Sequence, residues 1–291
     1  MASCAPPHVD PSSTRPPALE VTTTTGSAAS SGTATQPYRT APSSSQSRDS
    51  TQEVVFSQEF AKLVPRIRTR SVGLAYLPVG GRGSVVELGD WHSGPAWSTS
   101  KVPLALAALR ATPGARTEDL VRRALTSSDN AAAERLWSDL GSGPEAAQLV
   151  DRELGALGDT TTRTQGIQIR PPYTPFGQTQ WSLADQVRFA SGLACASGVD
   201  FVRTQMASVS VGQRWGLGSI PGALFKGGWG PDPIGRYLVR QLGIVELDGH
   251  RVAVALAVEA SDGSFASGVA AADKLVSLLR ESLHPVNGGC N

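Results

Sequence analysis

Two long apolar runs near the C-terminal end constrain the fold most. The segments YLVRQLGIVEL (237–247) and RVAVALAVE (251–259) have the length and β-branched content of strands. Asp248-Gly249 between them is typical of a tight hairpin turn. The chain is therefore expected to contain an antiparallel pair of strands, to which the other elements are added.

Further strands come from both halves of the chain. SVGLAYL (71–77), a glycine-rich turn at 80–83 and SVVEL (84–88) predict a hairpin, and FKGG (225–228) predicts another strand. Hydrophobic spacing and capping residues predict the helices. These cover about 53–67, 98–112, 116–125, 130–140, 143–157, 182–197 and 265–282.

This order of elements predicts an α+β fold. Strands from both ends of the chain can form one antiparallel sheet of about five strands flanked by helices, and the middle block forms an all-α part. A cleft between the two parts is the expected place for a ligand. The predicted domain is 52–291, with its sheet part at 52–95 and 215–291 and its helical part at 96–214.

The first 51 residues differ from the rest in composition. They are rich in Ser, Thr, Pro and Ala with few large apolar groups, so they cannot bury enough surface to offset the entropy lost on ordering. We interpret residues 1–51 as a disordered tether; the alternative is a tail without a task. The net charge of +1 gives no basic field for nucleic acid, and there is no apolar run long enough to span a membrane.

Ser98 and Lys101 are the first candidate catalytic pair. Lysine occurs only four times in the chain, and these two residues lie one turn apart on one helix face. A serine hydroxyl is a poor nucleophile until a base takes its proton, and a lysine amine can do so when burial and a nearby cation lower its pKa. The helix N-terminus adds N–H groups that favour an oxyanion.

Two later motifs change the meaning of this common pattern. Ser128-Asp129-Asn130 stands directly before a helix, where such residues are also ordinary caps, and Lys226-Gly227-Gly228 ends a predicted strand. Ser-x-x-Lys, Ser-Asp-Asn and Lys-Thr/Ser-Gly, in this order, are the motifs of class A β-lactamases and penicillin-binding proteins. From about residue 53 to 284 the chain resembles that superfamily, including STSKVPLALAAL, SSDNAAAERL and GQTQWSLADQVRFASGL.

The resemblance implies a role for each motif residue. Ser98 would be the acylated nucleophile, and Lys101 its general base, directly or through a water or Ser128. Ser128 would pass a proton to the leaving nitrogen. Asn130 would bind Lys101 and the substrate amide, and Lys226 the substrate carboxylate.

The same resemblance assigns the rest of the site and its ligands. Gly228 and Trp229 would border the substrate, with the N–H groups of Ser98 and Trp229 forming the oxyanion hole. The substrate would be a β-lactam or a peptidoglycan stem peptide ending in D-Ala-D-Ala. No cofactor, metal or nucleic acid is expected, and the chain is expected to be a monomer.

Several departures from the family pattern point to weak or absent turnover. The family needs a glutamate on the loop between the second and third motifs, but the glutamates here fall in predicted helices: Glu134, Glu145 and Glu153. The loop instead holds Gln165, Gln168 and Gln178. Gly227 also lacks the hydroxyl that the family has at this position, and Trp229 is bulkier than the usual residue. The number of residues between Ser98 and Ser128 is smaller than in the family, which predicts a smaller helical part.

Two functional hypotheses follow. One is a serine acyl-transferase or hydrolase with weak or no β-lactam turnover; the other is an inactive cell-envelope lipoprotein with a binding or scaffolding role. A Ser98-His92-Asp90 triad is a further, less favoured reading of the same region, because those residues lie in a turn.

The cysteines suggest a location outside the cytoplasm. Met1-Ala2-Ser3-Cys4 is similar to the end of a bacterial lipoprotein signal whose apolar stretch has been removed. Cys4 would then carry lipid and anchor the chain to the cell membrane; the alternative is a cytoplasmic protein with a stray cysteine. Cys195 and Cys290 could pair as a disulfide in an extracytoplasmic domain.

Overall fold

The predicted antiparallel sheet is present. The computed structural model describes residues 44–80 and 84–290, with side chains from residue 52 onward. Its strands are β1 (Thr69–Pro78), β2 (Val86–Gly89), β3 (Ser93–Pro95), β4 (Gln180–Ser182), β5 (Leu224–Pro231), β6 (Tyr237–Leu247) and β7 (His250–Ala260). Five of them form one sheet in the order β2-β1-β7-β6-β5, and β3 pairs with β4 separately.

The helices complete an α+β fold, as the element order predicts. They are α1 (Ser44–Leu63), α2 (Lys101–Ala111), α3 (Ala115–Thr126), α4 (Asn130–Asp139), α5 (Gly143–Ala156), α6 (Leu183–Cys195), α7 (Asp200–Ala207) and α8 (Phe265–Ser282). No helix within the described ranges is both long and apolar enough to cross a bilayer.

Strand β7 shows why the sheet is apolar on both faces. Its larger side chains, Val252, Val254, Leu256 and Val258, belong to one core with residues of α1 and α8. Its alanines, Ala253, Ala255 and Ala257, belong to the other core, where α6 packs against β7 and β1. Alternate side chains of a strand point to opposite faces, so this Val/Ala alternation builds two cores at once.

The hairpin turn between β6 and β7 is confirmed. Leu247 pairs with His250, and the two residues between them have φ values of 50° at Asp248 and 79° at Gly249. Positive φ at both central residues is what a two-residue hairpin turn needs.

Helix α2 is the centre of the helical part. Its residues from Lys101 to Ala108 are all buried, and it packs against α3, α4 and α5. A helix that is apolar around its whole circumference belongs inside a protein. The N-terminal end of this buried helix therefore holds Lys101, and the turn before it holds Ser98, where the helical part meets the sheet.

The structure also contains elements that the sequence pattern did not predict. Helix α7 has eight residues, and β3 and β4 have three residues each. Helix α1 begins at Ser44, earlier than expected. Residues 81–83 of the predicted glycine-rich turn, and Cys4, lie outside the described residues.

A buried guanidinium ties the sheet to the chain that leads into the Ser98 turn. Arg240 on β6 is 0 % exposed and donates to the carbonyl oxygens of Gly94, Pro95 and Trp181 at 2.9, 2.9 and 3.0 Å. It also donates to Gln186 Oε1 at 2.6 Å. Burial lowers the pKa of Arg240 to about 9, so the group remains charged at neutral pH.

A disulfide attaches the C-terminal segment to helix α6. Cys195, the last residue of α6, is bonded to Cys290, with a Cα–Cα distance of 5.3 Å across 95 residues of sequence. The C-terminal segment is thereby held against the end of α6.

We expect Arg240→Met to destabilise the protein by at least about 3 kcal/mol, because several buried acceptors lose a partner at about 1–3 kcal/mol each. Urea unfolding followed by fluorescence measures the change. The matched control is Arg280→Met, at an exposed position on α8, with an expected effect below about 0.5 kcal/mol. Equal effects of the two variants would show that the Arg240 contacts do not stabilise the fold.

Candidate active site

Ser98 lies in a short 3₁₀ turn, Trp97–Ser100, that leads into α2. The neighbouring hydroxyls are used within the turn: Thr99 Oγ1 donates to the Ala96 carbonyl and Ser100 Oγ to the Trp97 carbonyl, each at 2.6 Å. Ser98 is half-buried and lines a cleft instead. The turn therefore leaves one of its three hydroxyls available to a ligand.

The residue before Ser98 has an unusual backbone conformation. Trp97 has φ 51°, in the left-handed region that bulky residues rarely adopt, at a cost of about 1–3 kcal/mol. Its ring packs edge-on against Tyr173, with centroids 5.1 Å apart, and covers Gly230. A Cβ on Gly230 would come within 2.4 Å of the Trp97 ring, so a glycine there is required.

Lys101 is the first residue of α2 and is 1 % exposed. Its amine donates to the Ser128 carbonyl at 2.6 Å, to Asn130 Oδ1 at 2.7 Å and to Ser128 Oγ at 3.3 Å. Burial lowers the pKa of Lys101 from 10.5 to about 7, against the opposing negative charges of Asp129 and Glu134. Much of the amine is therefore uncharged at neutral pH, as a general base requires.

Ser128 and Asn130 come from the junction between α3 and α4. Ser128 has φ 59°, and Asp129 caps α4 by accepting from the Ala132 N–H at 3.0 Å. Asp129 also pairs with Arg123. The cap fixes the start of α4, which in turn aims Asn130 at the Lys101 amine.

Lys226 approaches the same hydroxyl from the sheet. It is 0 % exposed on β5 and donates to Ser128 Oγ at 3.0 Å and to the Gly227 carbonyl at 2.9 Å. Burial, and then the charge of Lys101, hold the pKa of Lys226 well below its ordinary value. Ser128 Oγ thus lies between two buried lysine amines and can accept from both.

Gly228 lets β5 come close to the turn that holds Ser98. A Cβ there would lie 2.9 Å from Ser98 N and 3.0 Å from both Thr99 N and the Ala96 oxygen. Real Cβ atoms essentially never come under 3.0 Å, so a side chain at this position would push the strand away. The strand is the edge of its sheet, next to β6 only.

Four of the predicted residues line one cleft of about 330 Å³: Ser98, Lys101, Asn130 and Trp229. This volume is at the lower end of ordinary ligand sites. Ser128 and Lys226 lie behind this lining and reach it through the hydrogen bonds of Ser128 Oγ to the two lysine amines. Trp229 forms one wall, and aromatic packing holds its ring: the centroids of Phe265 and Trp215 lie 5.4 and 6.3 Å away. The lining residues include Trp97, Ser98, Lys101, Asn130, Glu134, Tyr173, Thr174, Trp229 and Tyr237.

Within the described residues, the Ser98 hydroxyl has no hydrogen-bond partner, and the amine of Lys101 bonds to Ser128 and Asn130. Catalytic hydrogen bonds in empty active sites are often long and shorten when substrate binds. The Ser98 hydroxyl and the Lys101 amine therefore line the same cleft without a hydrogen bond between them.

The loop after α5 supplies backbone and aromatic groups to the cleft. Its glutamines form hydrogen bonds to the backbone of the same loop. Gln178 Nε2 donates to the Tyr173 and Thr174 carbonyls at 2.8 and 3.2 Å. Gln168 Nε2 also donates to the Tyr173 carbonyl, and Gln165 Oε1 accepts from the Ile167 N–H. These amides hold the loop in shape.

Glu134 is a cleft residue that the sequence reasoning set aside. It follows Asn130 by four residues on α4, and residues at this spacing share a helix face. The spacing from Asn130 therefore carried the signal, although a position in a helix excluded Glu134 as the loop glutamate of the family.

The alternative triad does not form. Asp90 accepts from the Val72 N–H and from Ser71 Oγ, and the exposed His92 is 3.4 Å from Glu87. Neither residue lines the cleft that contains Ser98.

Comparisons with solved structures identify the fold. Neither the protein-family models nor the curated proteins give a match. Solved structures do: the TLA-3 extended-spectrum β-lactamase is 16% identical, with TM-score 0.64, covering 78% of this chain and 97% of its own. A class A β-lactamase from Bacteroides cellulosilyticus gives 16%, 0.62, 80% and 98% for the same measures.

A third similar structure is an ancestral (GNCA) class A β-lactamase at 18% identity and TM-score 0.59, covering 78% of this chain and 99% of its own. Identities this low show the fold alone. The chain has a class A β-lactamase-like fold, which confirms the fold implied by the three motifs.

We expect the stability of the wild type relative to Lys101→Met to rise with pH. The folded pKa of about 7 lies below the ordinary 10.5, so the unfolded state binds more protons between these values. The cost of burying the charge, which is fully present below pH 7, is therefore lost as pH rises through this window, by about 1 kcal/mol per pH unit.

Urea unfolding at a series of pH values measures this difference. Lys274→Met, at an exposed position on α8, is the matched control and should show no such slope. Parallel pH profiles for the wild type and Lys101→Met would contradict a depressed pKa at Lys101.

Proposed function

We propose that the chain is a β-lactamase-like serine acyl-transferase or hydrolase that reacts with β-lactams or peptidoglycan stem peptides through Ser98. The observation that carries this proposal is the position of Ser128 Oγ, 3.3 Å from the amine of Lys101, which follows Ser98 by three residues, and 3.0 Å from the amine of Lys226. This arrangement supplies a base, a proton relay and a second lysine amine that a substrate carboxylate would favour in its ammonium form.

In the proposed acylation, the neutral Lys101 amine takes the Ser98 proton, directly or through a water or Ser128. Ser98 Oγ bonds to the carbonyl carbon, and the carbon–nitrogen bond then breaks. Ser128 passes a proton from Lys101 to the departing nitrogen. The Ser98 and Trp229 N–H groups would hold the oxyanion, and the close approach of Gly228 to Ser98 N supports this placement.

Lys226 is suited to a substrate carboxylate. Burial and the neighbouring Lys101 amine lower the pKa of Lys226 and so favour its uncharged form. A carboxylate placed beside it would favour the ammonium form, and that new positive charge would keep Lys101 neutral. Substrate binding would thereby complete the charge distribution that acylation needs.

An inactive binding or scaffolding role is the second candidate. It is favoured by the Lys101 hydrogen bonds, which go to Ser128 and Asn130, and by the absence of a carboxylate among the loop residues that line the cleft. This second role predicts a folded protein that forms no covalent adduct with β-lactams and does not hydrolyse them.

We also propose an extracytoplasmic location with a lipid at Cys4. The support is the Ala-Ser-Cys sequence and the Ser/Thr-rich segment after it, which lie outside the described residues. Fatty-acid labelling in the native host should mark the wild type and leave Cys4→Ala unlabelled. Equal labelling would contradict the anchor.

We expect incubation with benzylpenicillin to add one penicillin mass to the wild type slowly, with at most slow turnover of a chromogenic cephalosporin. Ser98→Ala should show no adduct, because the nucleophile is gone. Intact-mass spectrometry measures the adduct, and Ser267→Ala, on α8 away from the cleft, controls for unspecific acylation. An adduct that persists in Ser98→Ala, or rapid multiple turnover, would refute this assignment.

A further inference from the structure

We propose that Glu134 is the general base that activates water to hydrolyse the acyl-enzyme. This inference rests on the proposed function, since it needs an ester at Ser98. It replaces the expected glutamate of the loop by one on helix α4.

Glu134 has the right neighbours. It lines the same cleft as Ser98, Lys101 and Asn130, and it is close enough to the Lys101 amine for its negative charge to oppose the lowering of the Lys101 pKa by burial. Asn130, one turn earlier on the same helix, accepts from Lys101 at 2.7 Å. The Glu134 side chain therefore projects from the face of α4 that borders the reacting groups.

Other carboxylates between the second and third motifs are committed to structural contacts. Glu145 accepts from the Ser142 N–H in a capping box, and the buried Glu153 pairs with Arg110. Asp159 is 1 % exposed and accepts from Trp181 Nε1, while Asp185 accepts from the hydroxyls of Ser182 and Thr161.

Glu134 is exposed, and among the described residues its carboxylate forms no hydrogen bond and no ion pair. It is also the one carboxylate that lines the described part of the cleft. A general base needs this combination of an available oxygen and access to both water and the reacting carbon.

The hydrolytic step balances with the groups present. A water oxygen bonds to the carbonyl carbon of the Ser98 ester while Glu134 takes its proton. The tetrahedral intermediate then breaks its bond to Ser98 Oγ, and the proton returns from Glu134, through Lys101, to that oxygen. The product is a free carboxylic acid, which ionises in solvent, and the enzyme is restored.

The test separates acylation from hydrolysis. Wild type, Glu134→Gln, Glu134→Asp and the exposed-site control Glu281→Gln are acylated with benzylpenicillin, freed of excess reagent and followed by intact mass. Glu134→Gln should lengthen the adduct half-life by about 10²–10⁴-fold, the usual effect of a general base. Glu134→Asp should fall between, and Glu281→Gln should match the wild type.

Acylation of Glu134→Gln should be no slower than that of the wild type. Removing the negative charge of Glu134 lowers the pKa of Lys101 further and enlarges its neutral fraction. A damaged fold would instead slow both steps, so opposite responses of the two steps identify the base.

Equal adduct half-lives in wild type and Glu134→Gln would overturn the inference and leave the proposed function standing. Slower acylation with an unchanged half-life would mean that the carboxylate binds substrate, which also overturns it. If no variant forms an adduct, the proposed function itself fails.

Discussion

The hydroxyl of Ser128 is the acceptor that two buried lysine amines share, and the rest of the site depends on this contact. Burying two basic groups together is costly, so each must find acceptors and at least one must give up its charge. The acceptors come from the α3–α4 junction, one amine from the start of α2 and the other from the edge strand β5. The contact therefore forms only when the helical part and the sheet are docked. Docking buries the amine of Lys101 and thereby lowers its pKa, so that the uncharged form is populated at the cleft.

Close approach between the two parts is made possible by small residues at defined positions. Gly228 and Gly230 allow the edge strand to meet the Ser98 turn and the Trp97 ring, and the alanines of β7 allow α6 to pack against the sheet. The cleft is the narrow space left between the edge strand β5 and the turn that holds Ser98. Its aromatic wall, with Trp229 packed against Phe265, belongs to the sheet side.

Much of the fold could be predicted because its strongest signals are local. The β6–β7 hairpin has a two-residue turn with the residues that positive φ requires, and α8 has its predicted bounds of 265 and 282. The three-residue strands and the eight-residue α7 are too short to show a period, so they were missed. The motif residues could be named from their order, whereas the hydrogen bonds of Lys101 depend on three-dimensional distances. Glu134 was named but excluded because it falls in a helix, whereas its four-residue spacing from Asn130 places it on the same helix face.

The guanidinium of Arg240 has a consequence for how the site comes apart. It anchors the carbonyls of Gly94 and Pro95, just upstream of Ser98, to the central part of the sheet, and Gln186 extends this network to Thr99 at 3.0 Å. The Ser98 turn is therefore attached to the sheet, while Ser128 and Asn130 belong to the helical part. A motion that separated the helical part from the sheet would break the hydrogen bond between Ser128 and Lys226 while leaving the Ser98 turn attached to the sheet. The proposed reactivity would therefore be lost before secondary structure is lost during gradual denaturation.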